Sequence, residues 1–89
     1  MGNLPSFAGM NNLERVSMRS MKLTGTIPAT IAQLPQLRYL DLAFNHLHGP
    51  IPEFSNTQLR RLILAVNNLT GEIPATLSTN TNLQVLCVF

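Results

Sequence analysis

Two histidines, one cysteine, an arginine-rich set around one tyrosine and a single Asn-Leu-Thr triplet are the groups in this 89-residue sequence with chemistry to offer. His46 and His48 flank Leu47, so both imidazoles project to the same side of an extended segment. Two such groups begin a metal site, but a zinc site takes at least three protein ligands, and the spacing brings neither Asp41 nor Glu72 beside them. No metal is expected. Cys87 is the one cysteine, so an intramolecular disulfide framework is excluded. No base or cation is fixed beside it to make its thiolate reactive. Serines, histidines and aspartates occur, but none falls into an activated nucleophile–base arrangement. No catalytic residue, no cofactor and no enzymatic activity are therefore expected. Asn68-Leu69-Thr70 is an N-glycosylation sequon, used only on a secretory route. Met1-Gly2-Asn3-Leu4-Pro5-Ser6 fits the pattern for N-myristoylation, which belongs to the cytosol. The two signals point to different compartments.

These groups need a scaffold, and the composition bounds it. Apolar residues make up 45% and charged residues 11%, the reverse of a disordered chain. The length allows one domain, residues 1–89, which buries only about 60% of its unfolded surface if it packs as an ordinary globule. No apolar run approaches the roughly 20 residues of a membrane-spanning helix. No charged n-region followed by an apolar h-region opens the sequence, so membrane association is expected only through segments outside it. A net charge of +2 is too small to imply nucleic acid, and none is expected as a partner.

The scaffold is a repeat. Leu13, Val16, Met18, Leu23, Gly25, Ile27 and Pro28 recur at the same offsets as Leu37, Leu40, Leu42, Leu47, Gly49, Ile51 and Pro52. They recur again as Leu59, Leu62, Leu64, Leu69, Gly71, Ile73 and Pro74, and a fourth copy opens at Leu83, Leu86 and Val88. Successive anchors lie 24, 22 and 24 residues apart. The units are a partial copy over 1–12, repeats at 13–36, 37–58 and 59–82, and a partial copy over 83–89. Apolar residues two apart lie on one face of a strand, so each copy predicts one short parallel strand. Asn45 and Asn67 follow it at a fixed distance and carry the donors and acceptor to satisfy backbone groups of adjoining coils. Met21 holds that position in the first copy. Residues 29–34 and 75–80 predict short 3₁₀ or helical turns, and 53–58, two residues shorter, a tighter outer arc. Thr26 is matched by Pro50 and Glu72, so no threonine array for binding ice exists.

The stretches at 13–28, 37–52 and 59–74 resemble the plant-type leucine-rich repeat, L-x-x-L-x-L-x-x-N-x-L-x-G-x-I-P. They are most similar to the ectodomains of receptor-like kinases and receptor-like proteins and to polygalacturonase-inhibiting proteins. The resemblance implies an α/β repeat solenoid, a right-handed superhelix with a parallel β-sheet on its concave side and short 3₁₀ or helical turns on the convex side. A second small sheet from the L-x-G-x-I-P segment usually accompanies it. The implied function is recognition of a protein or peptide on the concave face, at the cell surface or outside the cell if the chain is part of a longer receptor.

On that face the outward strand positions gather five of the six basic residues and two of the four acids. In-register stacking predicts one row of Arg15, Tyr39, Arg61 and Val85 and a neighbouring row of Ser17, Asp41, Ile63 and Cys87, about 4.8 Å between members. Arginine and tyrosine are enriched at binding hot spots. The expected partner-binding residues are Arg15, Ser17, Arg19, Arg38, Tyr39, Asp41, Arg61 and Ile63, with Asn68 as the glycan acceptor and Asn45 and Asn67 as the structural ladder. Repeat coils bury their apolar residues against each other. Apolar edges are therefore expected at Leu4, Phe7 and Met10 on one side and at Leu83, Leu86 and Val88 on the other. An alternative follows: a truncated structural or decoy fragment that self-associates, or joins a longer repeat protein, through uncapped ends.

Overall fold

The computed structural model describes residues 2–55 and 58–88; Met1, Asn56, Thr57 and Phe89, and with them parts of the acylation pattern and of the short outer arc, lie outside the described residues. In chain order the elements are β1 (Arg15–Ser17), a 3₁₀ turn (Ile31–Gln33), β2 (Tyr39–Asp41), β3 (His48–Pro50), β4 (Arg61–Ile63), β5 (Asn68–Thr70), α1 (Ala75–Ser78) and β6 (Val85–Cys87). β1, β2, β4 and β6 form a four-stranded sheet in that order, every pair parallel. Arg15 pairs with Tyr39, Tyr39 with Arg61 and Arg61 with Val85. The register therefore follows the repeat offsets. A one-residue slip would turn the leucines out into water, so the apolar period holds it in place.

β3 and β5 make a second, two-stranded parallel sheet. His48 pairs with Asn68 there, two residues away from the alignment that matches Leu47 to Leu69. Asn3 extends the same side by a parallel bridge to Thr24. Gly49 lies at φ +80°, and a Cβ on it would come 3.0 Å from Thr26 Cγ2. Only glycine meets both conditions cheaply.

The space between these sheets and the outer turns is filled by leucine. Leu37, Leu40, Leu42, Leu47, Leu59, Leu62 and Leu64 are fully buried, joined by Ile31, Leu34 and Leu77 from the outer turns. The coil two residues shorter forms neither helix nor 3₁₀ turn over its described residues. Phe54 fills its outer layer instead, 3% exposed, and the Ser55 N–H donates to the Ala32 carbonyl of the coil before. One bulky side chain replaces the apolar residues of a helical turn.

Leu4 and Phe7 correct an expectation. Both are buried in the common core instead of forming a wet edge. The segment before β1 lies along the first coil, with the Thr24 N–H donating to the Gly2 carbonyl and the Phe7 N–H to Thr30 Oγ1. Met10 alone of that trio is exposed. At the other side Leu83 and Val88 are half-buried and Leu86 is exposed.

The asparagine ladder runs backwards along the chain. Asn45 Oδ1 accepts from the Met21 and Leu23 N–H groups, and its amide donates to the carbonyls of Met18, Leu42 and Ala43. Asn67 Oδ1 accepts from the Leu47 N–H, and its amide donates to Leu42, Leu64 and Ala65. Each asparagine thus ties its own coil to the preceding one. Met21, at the same position in the first coil, carries no side-chain amide to make such a tie. Asn45 is buried, whereas Asn67 is only half-buried and accepts one backbone N–H where Asn45 accepts two.

Candidate functional site: the outer face of the parallel sheet

Short strands hold the outward side chains in three rows. The first, just before the strands, contains Glu14, Arg38, Arg60 and Gln84. The Arg38, Arg60 and Gln84 N–H groups donate to the Glu14, Arg38 and Arg60 carbonyls at 2.8, 2.8 and 2.7 Å. The second row is Arg15, Tyr39, Arg61 and Val85, and the third is Ser17, Asp41, Ile63 and Cys87. Rows one and two enclose a groove of about 380 Å³ bounded by Glu14, Arg15, Arg38, Tyr39, Arg60, Arg61 and Gln84. A hollow of about 280 Å³ lined by Arg15, Ser17, Tyr39 and Arg61 shares three of those residues with it.

Arg15, Ser17, Arg38 and Arg61 are exposed, and Tyr39 and Ile63 are half-buried. The Arg15 guanidinium stands 5.2 Å from the centre of the Tyr39 ring, a cation–π distance that holds the ring flat under the charge. Arg60, Glu14 and Gln84 line the groove although the partner-binding residues read from the sequence omit them. Their neighbour position in each strand entry was the available signal.

Asp41 departs most from its expected role. It belongs to the outward row, yet its side chain is 1% exposed. Arg19 Nη1 donates to Asp41 Oδ2 at 2.8 Å, the Tyr39 hydroxyl to the same oxygen at 3.3 Å, and the Ala43 N–H to Oδ1 at 3.1 Å. The long side chains around a short one close over it. Asp41 is therefore a support beneath the face, and a partner cannot touch it unless Arg19 moves. Arg19 continues outward to stack 5.4 Å from the Phe44 ring centre.

Phe44 sits at the far end of the face, together with Val66. Both are half or more exposed at 50% and 53%, and both have φ of 59°. Ser20, the same repeat position in the first coil, has φ 55°. The left-handed region is unusual for an aromatic side chain and an outlier for a β-branched one. Side-chain periodicity carries no signal of it.

The remaining reactive groups do not line the arginine groove. His46 and His48 line a separate groove of about 480 Å³ with Asn45, Val66, Asn67 and Asn68. Among the described residues no three histidine, cysteine or acidic side chains come together to hold a metal. Cys87 is exposed on β6. Asn68 and Thr70 are both exposed on β5.

The sheet-and-turn coils and their asparagine ladder define a leucine-rich-repeat protein. A "Leucine rich repeat" profile matches residues 5–47 and a "Leucine Rich Repeat" profile residues 58–80. The chain belongs to the leucine-rich-repeat family.

Among sequence relatives, Receptor-like protein 36 of Arabidopsis thaliana is 40% identical over 50 residues, which is 56% of this chain and 7% of that protein. Receptor-like protein kinase 7 of Arabidopsis thaliana is 39% identical over 57 residues, 62% of this chain and 6% of the relative. The chain thus spans less than a tenth of either relative's length. Among solved structures, PEPR1–AtPEP1 superposes with a TM-score of 0.95 at 33% identity, covering 100% of this chain and 13% of that one. The Arabidopsis receptor kinase HAESA, in complex with the peptide hormone IDA and the co-receptor SERK1, gives 0.94 at 33% identity over 99% of this chain and 15% of its own.

Proposed function

We propose that this chain is a recognition segment of a plant-type leucine-rich-repeat receptor or inhibitor and binds a protein or peptide through the concave face of the four-stranded sheet. The observation that carries this reading is the groove of exposed arginines around Tyr39, held on backbone that is hydrogen-bonded from coil to coil. Side chains on such rigid elements lose little ordering entropy when a partner docks. Tyrosine and arginine are the residue types that concentrate binding energy. Superposition on HAESA, a receptor kinase in complex with a peptide hormone, supports the same reading. The contact residues are Arg15, Ser17, Arg19, Arg38, Tyr39, Arg61 and Ile63, with Asp41 positioning Arg19 and Tyr39 from below. A solenoid of this kind binds and does no chemistry of its own. As part of a longer receptor-like protein, it stands outside the cell or at its surface.

The test is selection of peptides from a random dodecamer library against the folded chain, followed by titration of the best binder. Tyr39→Ala and Arg61→Ala should each weaken it by about 1–2 kcal/mol or more, the loss seen on truncating hot-spot residues. Thr76→Ala, across the molecule, should leave it unchanged. Binders that survive both sheet-face substitutions and fail with Thr76→Ala would place recognition on the convex side.

A further inference from the structure

The five arginines of the sheet face are not equivalent. Arg19 is ion-paired with Asp41. Among the described residues Arg15, Arg38, Arg60 and Arg61 have no carboxylate within ion-pairing distance, and all four are exposed. All four line one groove of about 380 Å³, where Glu14 is the single acid. Like charges gathered on adjacent coils about 4.8 Å apart repel one another. An anionic guest relieves that repulsion, and a guanidinium grips a carboxylate with two parallel hydrogen bonds. The apolar side of the same face, with Ile63, Phe44 and Val66, has its one cation neutralised.

We infer that the occupant of this groove is an extended acidic peptide segment carrying at least two carboxylates on one face. This rests on the concave-face reading above and adds the chemistry of the guest. Side chains two apart in an extended peptide project to one side about 6.7 Å apart. That span falls between the one-coil separation of Arg38 and Arg60 and the two-coil separation of Arg15 and Arg61, about 4.8 and 9.6 Å. Flexible arginine stems close the difference. Glu14 and Gln84 bound the ends of the first row. Their side-chain oxygens accept hydrogen bonds, which suits peptide N–H donors and disfavours a polymer with an anion on every unit. Tyr39 lies between Arg15 and Arg61 and offers an apolar step under the peptide's intervening carbons.

The experiment is fluorescence polarisation with the whole 89-residue chain and three dye-labelled heptapeptides, with Glu, Gln or Lys at positions 2, 4 and 6 on a Gly/Ala background. The Glu peptide should bind at least tenfold more tightly than the Gln peptide, and the Lys peptide should not bind. Affinity for the Glu peptide should fall steadily as salt rises. The double variant R38Q/R60Q should lose tenfold or more, whereas Lys22→Gln, which removes an exposed cation that does not line the groove, should stay within about twofold. Circular dichroism verifies that each variant remains folded.

Equal binding of the Glu and Gln peptides overturns the inference, as does no Glu-peptide binding up to millimolar concentration. It is also overturned if hexagalacturonate or an oligothymidylate binds more tightly than the Glu peptide, since the guest is then another class of polyanion. A library-selected peptide that depends on Tyr39 and Arg61 but not on Arg38 and Arg60, or on its own acids, sinks the acidic guest alone. Loss of dependence on Tyr39 as well sinks the concave-face reading with it.

Discussion

Replacing Asp41 tests whether a fully enclosed carboxylate supports the outer face of the sheet. Opposite charges about 4 Å apart attract by about 4 kcal/mol at an effective dielectric near 20, while withdrawing the carboxylate from water costs several kcal/mol. Arg19 remains 47% exposed, so water screens part of the attraction and the two effects largely cancel. The hydrogen bonds then decide the sign. Asp41 accepts three, from Arg19, Tyr39 and the Ala43 N–H. In Asp41→Ala the buried Ala43 N–H is left without an acceptor and Tyr39 loses its anchor, a loss of about 2–3 kcal/mol. Asp41→Asn keeps the shape and one oxygen but turns an amide donor towards Arg19, which costs about 1–2 kcal/mol. With a urea slope of about 1–2 kcal/mol/M, the alanine variant's midpoint should fall by roughly 1–3 M. A double-mutant cycle with Arg19→Met should return a coupling of about 0.5–1.5 kcal/mol. An alanine variant that unfolds at the wild-type midpoint, with zero coupling to Arg19, would refute the supporting role.

The ladder makes a graded prediction: Asn67→Leu should cost about 1–3 kcal/mol by orphaning the Leu47 N–H, and Asn45→Leu more, because five backbone groups depend on it. Chemical denaturation in which the two variants match wild type would reject it. Val66→Asn should raise the midpoint, since asparagine tolerates the left-handed region that costs other residues roughly 1–2 kcal/mol; a lowered midpoint would show that the valine side chain contributes more than its backbone loses. Expression through a secretory route should add a glycan at Asn68, seen as a mass increase that endoglycosidase and Asn68→Gln both abolish; an unmodified secreted chain would count against the site. The exposure of Leu86 beside Val85 on β6 should make sedimentation depend on concentration, and Leu86→Lys should suppress it; a concentration-independent monomer would argue against association there.

The strand register was legible from the repeats because it depends only on side-chain period. Once Leu40 and Leu62 must point inward, Tyr39 and Arg61 must stand side by side. The outer turns were legible from the repeat as well, and the two residues missing from 53–58 marked that arc as the one to depart from the others. Asp41 was not, because period two says which face a side chain leaves from and nothing about what closes over it. A short carboxylate among Arg19, Tyr39 and Ala43 disappears beneath its neighbours. Phe7 stands 24 residues before the buried Ile31, so the repeat did point to its burial, whereas Leu4 is matched by Pro28 and had no such partner. The left-handed turns at Phe44 and Val66 escaped notice because glycine, the usual marker of such backbone, is absent there.

The order β1-β2-β4-β6, all parallel, has a mechanical consequence. Each coil is fastened to the coils beside it, through sheet hydrogen bonds, the asparagine ladder, bonds between outer turns and the shared leucine core. Tension applied between distant points on the chain therefore loads these fastenings in series, and the molecule yields coil by coil. A coil of 22 to 24 residues releases about 75 Å of extended chain when it peels away. The arginine groove spans four coils, so it is dismantled by the first rupture within it. A guest bound in this groove, as proposed, would be released at that first rupture, before the rest of the chain has been drawn out.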